Sequence, residues 1–339
     1  MSAVEFDRPA FVSMLDRLAL TAGDARTFPI LGCVAITGGA AMTSALDTFT
    51  RTTLGSNGLG VAVDCRRLLG IVKSMNGATV GFEQRGQDVV VSGDRATFRL
   101  SGSDVTLFPA CPAIPTLTAL RHDDLADVVA LAGRLDTERF GVLVAHAAGQ
   151  FGLAATDGYR LVIHGGITEG SRVVIHGSGL RALARLDVTG VGHSDDWLFF
   201  GSDEALVGVR RKDGTYPDIG AAIRAAYAQD GVAHVDGRRF RDALARVLLM
   251  EDGTNRVAIT IGDGKLTLSA RNVDAGDAVD SLPCEHSGKL KAAYNGRHLQ
   301  DWARAADGDT ALRYDNGTTP LHCTTSGLEG TQYVLMPMR

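Results

Sequence analysis

No apolar run in this chain of 339 residues approaches the roughly 20 residues of a membrane-spanning helix. The opening stretch, residues 1–9, carries acids and no apolar segment. A secretion leader is therefore not expected, and a cytoplasmic location is. The five cysteines, Cys33, Cys65, Cys111, Cys284 and Cys323, are scattered, with no Cys-x-x-Cys among them. That removes the spacing a zinc site or disulfide framework needs and leaves free thiols as the expectation. The nine histidines are dispersed, none at ligand spacing from another His or Cys, so neither a metal nor a cofactor is expected. No Gly-x-x-x-x-Gly-Lys-Ser/Thr stretch occurs. Gly262-Asp263-Gly264-Lys265 lies between two apolar runs and reads as a hairpin turn, not a phosphate cradle. Aromatic residues are only 6%, which offers no stacking platform for single-stranded nucleic acid. The net charge is -5, so a polyanionic partner has to be met by a local basic surface.

What the chain does have is repetition. Phe11, Met14, Leu15 and Leu18 share one helical face behind the start signals Asp7 and Pro9. Leu125, Val128, Val129 and Ala132 repeat the pattern behind Asp123-Asp124, and Phe240, Ala243, Leu244 and Val247 repeat it behind Asp236. The lead residues Phe11, Leu125 and Phe240 are 114 and 115 positions apart, and such a period signals internal duplication. A second helix follows a short strand in each copy, with the same step from Val63 to Leu68, Ile175 to Leu180 and Tyr294 to Leu299. These helices are expected over 66–75, 180–186 and 297–306. Between the helices, alternating apolar stretches flank turn residues, as in 151–163 around Asp157-Gly158. Each copy closes on a bulky residue and a proline: Phe108-Pro109, Tyr216-Pro217 and Met336-Pro337.

The expected fold class is α+β, in three repeated domains over 1–112, 113–220 and 228–339. Each packs two helices on antiparallel sheet of six to eight strands. The first linker is proline-rich, with Pro109, Pro112 and Pro115. The second, 219–234, is alanine-rich and leaves room for a helical turn.

Little here points to an enzyme. Gly192-His193-Ser194-Asp195-Asp196 holds the residue types of a hydrolase, yet a triad is assembled by the fold and not by adjacency. A hydrolase is thus a remote reading beside a polar loop. Cations instead gather on the helices: Arg66, Arg67 and Lys73; Arg181 and Arg185; Arg238, Arg239, Arg241 and Arg246; Arg297 and Arg304. They suit sequence-independent phosphate contacts, or they are solvated helix faces. The end of the chain, Tyr333-Val334-Leu335-Met336-Pro337-Met338-Arg339, reads as a strand stopped by proline. It is either a last core strand or an adaptable, methionine-bearing surface.

Three stretches resemble one family, the bacterial sliding clamp, the β subunit of DNA polymerase III. Arg26-Thr27-Phe28-Pro29-Ile30-Leu31-Gly32 resembles its N-terminal proline motif. Ala155-Thr156-Asp157-Gly158-Tyr159-Arg160-Leu161 resembles the hairpin of its middle domain, and residues 333–339 its C-terminal signature. Asp213-Gly214-Thr215-Tyr216-Pro217-Asp218 is a weaker fourth. The likeness runs the length of the chain in order.

The resemblance implies a DNA-clamp fold and a head-to-tail homodimeric ring around double-stranded DNA, non-catalytic, that tethers the replicative polymerase for processive synthesis. It implies DNA-facing cations, here Arg66, Arg67, Lys73, Arg181, Arg185, Arg238 and Arg297. It implies a dimer interface at Phe98 and Leu100 against Leu249 and Met250, four residues that otherwise read as ordinary core. It also implies a groove between the second and third domains for short peptide motifs of the polymerase and the clamp loader. The matching positions are Thr156, Gly158, Tyr159, Arg160, Leu161, Pro217, Asn295, His298, Thr318, Pro320, Val334, Leu335, Met336, Pro337, Met338 and Arg339.

The chain departs from the family pattern in places. Ile219-Gly220-Ala221-Ala222 stands where a basic, bulky stretch is usual, and His298 where an aromatic is. Tyr159 replaces a common histidine, and 136–141 is about three residues short. These departures favour, as the alternative, an accessory or phage-encoded clamp with altered partner preference.

Overall fold

Strands run directly into helices, and the residue at each junction caps the helix it starts. The computed structural model describes residues 4–55, 57–120, 125–147, 150–167 and 171–338. The first copy contains β1 (Val4–Asp7), α1 (Arg8–Leu18), β2 (Cys33–Thr37), β3 (Ala40–Ser44), β4 (Thr48–Thr53), β5 (Gly60–Asp64), α2 (Cys65–Ser74), β6 (Thr79–Arg85), β7 (Asp88–Gly93) and β8 (Ala96–Leu100). The second contains β9 (Thr118–Ala119), α3 (Leu125–Ala132), β10 (Val142–Ala147), β11 (Gln150–Thr156), β12 (Arg160–His164), β13 (Ser171–Ile175), α4 (Leu180–Leu183), β14 (Gly190–His193), β15 (Trp197–Gly201) and β16 (Leu206–Arg210). After α5 (Gly220–Tyr227), the third contains β17 (Gly231–Asp236), α6 (Gly237–Val247), β18 (Arg256–Gly262), β19 (Lys265–Asn272), β20 (Gly276–Pro283), β21 (Glu285–Ser287), β22 (Leu290–Asn295), α7 (Gly296–Ala303), β23 (Asp309–Tyr314), β24 (Leu321–Thr325) and β25 (Thr331–Leu335).

Asp7 accepts from the Ala10 N–H at 2.9 Å, Asp64 from Arg67 at 2.7 Å and Asp236 from Arg239 at 2.8 Å. Asn295 accepts from Arg297 at 3.0 Å and His298 at 3.2 Å. Each cap contributes about 1 kcal/mol. The long helices bury the residues their spacing marks: Phe11, Met14, Leu15 and Leu18 on α1, and Phe240, Ala243, Leu244 and Val247 on α6. Leu125, Val128, Val129 and Ala132 are likewise buried on α3, while its expected start signal Asp123-Asp124 lies outside the described residues. The second helix of the middle copy is shorter than the expected 180–186. After one turn the chain tightens, with Arg185 N–H bonded to Ala182 O and Leu186 N–H to Leu183 O, both at 3.1 Å. The second linker holds a full helix, α5, where only a turn was expected.

The chain condenses into two compact units. Unit 1 comprises 1–121 and 175–212; unit 2 comprises 122–174 and 213–339. The middle copy is shared because its strands extend sheets begun by its neighbours. Unit 1 has an eight-stranded sheet, order β5-β2-β3-β4-β16-β15-β14-β9, and unit 2 a nine-stranded one, order β13-β10-β11-β12-β25-β24-β23-β17-β21. Each unit also has a four-stranded sheet, β1-β6-β7-β8 in unit 1 and β20-β19-β18-β22 in unit 2.

Two antiparallel joins therefore link sequence copies. In unit 1, β4 pairs with β16, Phe49 opposite Gly208; in unit 2, β12 pairs with β25, Leu161 opposite Val334. Gly208 is required at its place, because a Cβ there would lie 2.2 Å from the Phe49 ring. Behind the sheets sit the cores. Leu15, Leu18, Leu68, Val72 and Phe82 belong to that of unit 1. In unit 2, Trp302 packs against Phe240 and Tyr333, with ring centroids 5.8 and 6.3 Å away.

Candidate functional site

The hairpin between β11 and β12 turns through Asp157, Gly158 and Tyr159. Gly158 takes φ +91, a left-handed conformation open to glycine. The Asp157 carboxylate accepts from the Tyr159 and Arg160 N–H groups, both at 3.0 Å. Thr156 Oγ1 donates to Arg160 O at 2.8 Å and accepts from the Gly158 N–H at 3.1 Å. Thr156, which is buried, and Gly158, which is exposed, thus build the turn. Tyr159 is what the turn presents, with 69% of its surface exposed.

Arg160 is a buried pin. Its Nε donates to Asp157 at 2.8 Å, one terminal nitrogen to Asp301 on α7 at 2.7 Å, and the other to the Arg134 carbonyl at 2.7 Å. Burial opposes its charge, but Tyr333, Asp301 and Asp157 reverse that and keep it protonated. One guanidinium thereby locks the hairpin to α7 and to the chain after α3. Such a buried network is costly to break from one side, since Asp157 and Asp301 lose the buried cation between them, although Asp301 also reaches Arg304 at 3.4 Å and Arg134 at 3.6 Å.

The C-terminal strand β25 lies between β12 and β24, with Leu335 opposite both Arg160 and Leu321. Val334 and Leu335 are buried, so the strand is core. Past it, the Met336 N–H donates to Tyr159 O at 2.9 Å and the Met338 N–H to Ala293 O at 2.7 Å. Met336 is 43% exposed, while Pro337 and Met338 are half-buried. The core reading describes the strand itself, and the residues past it lie partly at the surface. Arg339 lies outside the described residues.

The other expected groove positions divide by role. Asn295 caps α7. The His298 carbonyl accepts from the Tyr333 hydroxyl at 2.9 Å, and burial, then the nearby Arg160 charge, lower the pKa of its half-buried ring. Thr318 is exposed, its hydroxyl donating to Asn316 at 2.6 Å. Pro320 O accepts from the Gln229 side chain. Pro217 is half-buried.

On the outer face of the large sheet of unit 2, Leu161 and Val334 form an apolar floor with Ala154, Ile163 and Ile167. Helix α5 covers this floor with Ile219, Ala222, Ile223 and Ala226. The strap carrying α5 is tied down at both ends. The Tyr216 hydroxyl donates to Ala154 O at 2.9 Å, and Gln332 donates to the Tyr227 hydroxyl at 2.5 Å. Tyr227 in turn packs edge-on over His322, with centroids 5.3 Å apart. The reading of the groove from sequence noted Ile219 and Ala222 only as a departure from the family pattern and missed Ile223, Ala226 and Tyr227. The i, i+3, i+4, i+7 spacing from Ile219 to Ala226 was the available signal.

The seven expected DNA-facing cations are all exposed, six on helices and Arg185 just past one, but they differ in pairing. Lys73 bonds Asp16 at 2.7 Å, Arg238 makes a forked pair with Asp307 at 2.6 and 3.0 Å, and Arg297 reaches Glu251 at 3.5 Å. Arg66 and Arg67 on α2, Arg181 on α4 and Arg185 just beyond it form no ion pair among the described residues.

The expected interface residues also divide. Leu100 is buried in the core of unit 1, with Phe98 half-buried against it. Their strand, β8, is an edge of its sheet. In unit 2, Leu249 is 81% exposed and Met250 half-buried. Val279, on the edge strand β20, and Val273 are also exposed and escaped the sequence reading. The run from Gly192 to Asp196 is a hairpin turn: the Ser194 hydroxyl accepts from the Trp197 N–H at 3.2 Å, and the Asp195 and Asp196 carbonyls accept from Arg211. Among the described residues no group of three or more His, Cys, Asp or Glu is arranged to hold a metal ion, and no helix is long and apolar enough to cross a membrane.

The two-join, four-sheet architecture is that of solved sliding clamps. The DNA polymerase III beta subunit of Thermotoga maritima superposes with a TM-score of 0.85 at 17% identity, over 99% of each chain. Residues 227–339 match the family model described as the C-terminal domain of the DNA polymerase III beta subunit. Among curated proteins, the beta sliding clamp of Caulobacter vibrioides is 29% identical over 130 residues. That match takes in 38% of this chain and spans about a third of the relative's length, 34%. The beta sliding clamp of Staphylococcus aureus is 23% identical over 310 residues, 82% of this chain and 80% of the relative. The chain is a divergent relative of the DNA polymerase III beta subunit.

Proposed function

We propose that the chain is a non-catalytic DNA sliding clamp, acting in the cytoplasm, that encircles duplex DNA as a head-to-tail homodimer and tethers a DNA polymerase. The observation that carries this reading is the full-length match to DNA polymerase III beta subunits, with two copy-to-copy joins in one chain. The exposed edge strands β8 and β20 supply unpaired backbone groups, and Leu249, Val273 and Val279 supply exposed apolar surface near the second edge. A head-to-tail contact of this kind closes into a ring when its rotation fits. Arg66, Arg67, Arg181 and Arg185 are the cations we assign to duplex phosphates; Lys73, Arg238 and Arg297 join them with part of their charge already balanced. Loose phosphate contacts allow sliding, and topology supplies retention.

Partner peptides of the polymerase and clamp loader are assigned to the surface of Tyr159, Pro217, Met336, Pro337 and Met338. Thr156, Gly158, Arg160 and Asn295 shape it, Leu161 and Val334 form its floor, and Leu335 backs that floor from the opposite face of β25, beside Arg160. Helix α5 over that floor favours a second reading, an accessory or phage-encoded clamp with its own partner preference. Sedimentation equilibrium tests the ring: twice 35.7 kDa at micromolar concentration is expected, and a monomer there contradicts it. Calorimetry with the host polymerase's clamp-binding peptide tests the surface. Binding is the expected result, and none at high micromolar peptide removes the assignment.

A further inference from the structure

Both units lay the segment after a bulky-residue–proline closure across the outer face of their large sheet. In unit 2 that segment is α5, and its apolar residues fill the space over β11, β12 and β25. In unit 1 it is the stretch around Phe108-Pro109, and Pro109, Pro112 and Pro115 recur too closely for a helix. A short 3-10 turn, Val105–Leu107, precedes it, capped by Asp104. Beneath this extended strap a pocket remains where unit 2 has its helix.

The floor of the pocket is Ala35, Ala40, Met42 and Arg51; Val105, Phe108 and Cys111 close it from the strap. Arg51 stands opposite Met42 on one neighbouring strand and Leu206 on the other, so the three side chains share a face. Arg51 is half-buried as a residue, and its guanidinium makes no hydrogen bond or ion pair among the described residues. No carboxylate lines the pocket; the remaining lining is Thr37, Thr106 and small or apolar residues. A half-buried cation without a partner is unfavourable, and a carboxylate matches its fork with two parallel bonds. A phosphate dianion would call for more donors than this one fork provides.

We propose that this pocket binds a small monocarboxylate with a branched apolar body, the carboxylate on Arg51 and the body between Met42 and Phe108. The proposal is independent of the clamp reading. Cys111 reports on it, because it is half-buried in the pocket while Cys33, Cys65, Cys284 and Cys323 are buried. Burial also pushes the Cys111 thiol up, with the Arg51 charge working against that, so alkylation is slow and easily followed.

The experiment measures iodoacetamide alkylation of Cys111 by peptide mass spectrometry, with 3-methylbutanoate or its amide as probe. At concentrations on the order of tens of millimolar, suited to a ligand of few atoms, the acid slows alkylation about tenfold or more and the amide does not. Arg51→Met abolishes the protection, Arg51→Lys retains part of it, and thermal melting verifies that both variants fold. Equal protection by acid and amide, protection that survives Arg51→Met, or none by the acid in the unaltered protein overturns the proposal.

Discussion

The two copy-to-copy joins share a strand geometry and are fastened by different chemistry. In unit 2 the hairpin turn is held by a charged network, with Arg160 between Asp157 and Asp301. In unit 1 the corresponding turn, through Leu46 and Asp47, is held by hydroxyls. Ser178 donates to Asp47 at 2.9 Å and lies 2.7 Å from the Thr48 hydroxyl. The straps differ as well, one helical and apolar, the other extended and proline-bearing. One scaffold thus carries an ion-pinned surface at one join and a plainer one at the other. The ion-pinned join is the one that presents Tyr159 and the C-terminal tail.

Substitutions at matched places separate the two joins. Arg160→Ala removes the buried cation shared by Asp157 and Asp301, leaving Asp301 only its longer contacts to Arg304 and Arg134, and is expected to cost about 3 kcal/mol, whereas Ser178→Ala in unit 1 costs about 1 kcal/mol. Urea denaturation of both variants measures this, and equal losses would break the comparison. In the straps, Ile223→Asp puts a carboxylate against the floor of Leu161 and Val334 and costs about 2 kcal/mol. Pro112→Ala in the extended strap changes stability by under about 1 kcal/mol.

Acid distinguishes the joins next. Burial, then the Arg313 charge, lower the pKa of His322, beneath Tyr227, below its ordinary 6.5. The unfolded chain therefore takes up the proton first. The stability this contributes is complete above about pH 6.5 and declines as the pH falls below it, by at most about 1.4 kcal/mol per pH unit. Urea midpoints from pH 7.5 down to 5 read the slope, and His322→Gln reduces it, leaving the part that His298, also held below 6.5, contributes. A small effect on folding is also expected from removing residues 336–339. Two peripheral backbone bonds are lost, a change of about 1 kcal/mol, while partner-peptide binding measured by calorimetry disappears. A truncated chain that fails to fold would return the tail to a purely structural role.

Much of the fold was legible because helix faces and caps are local. The spacings from Phe11 to Leu18 and from Phe240 to Val247, with Asp7 and Asp236 before them, specify their helices without help from the rest of the chain. Helix α4 was over-read, since Leu180 to Leu186 keeps apolar spacing while its backbone tightens after one turn. Helix α5 was under-read because small, alanine-rich segments give a weak apolar signal. The site was legible as positions and not as roles. Arg160 finds Asp301 across 141 residues of sequence, so motif spacing cannot reveal a pin. The edge position of β20, which gives exposed Val279 its significance, depends on strand order. The unit 1 pocket depends on the path of a linker, which no residue pattern encodes by itself.

The central claim is topological, and one measurement addresses it directly. The protein is loaded on nicked circular DNA with a clamp loader and ATP, the circle is cut once, and retention is read by gel filtration at moderate salt. The account predicts stable retention on the circle and rapid loss from the linear product. Equal retention before and after cutting would contradict it.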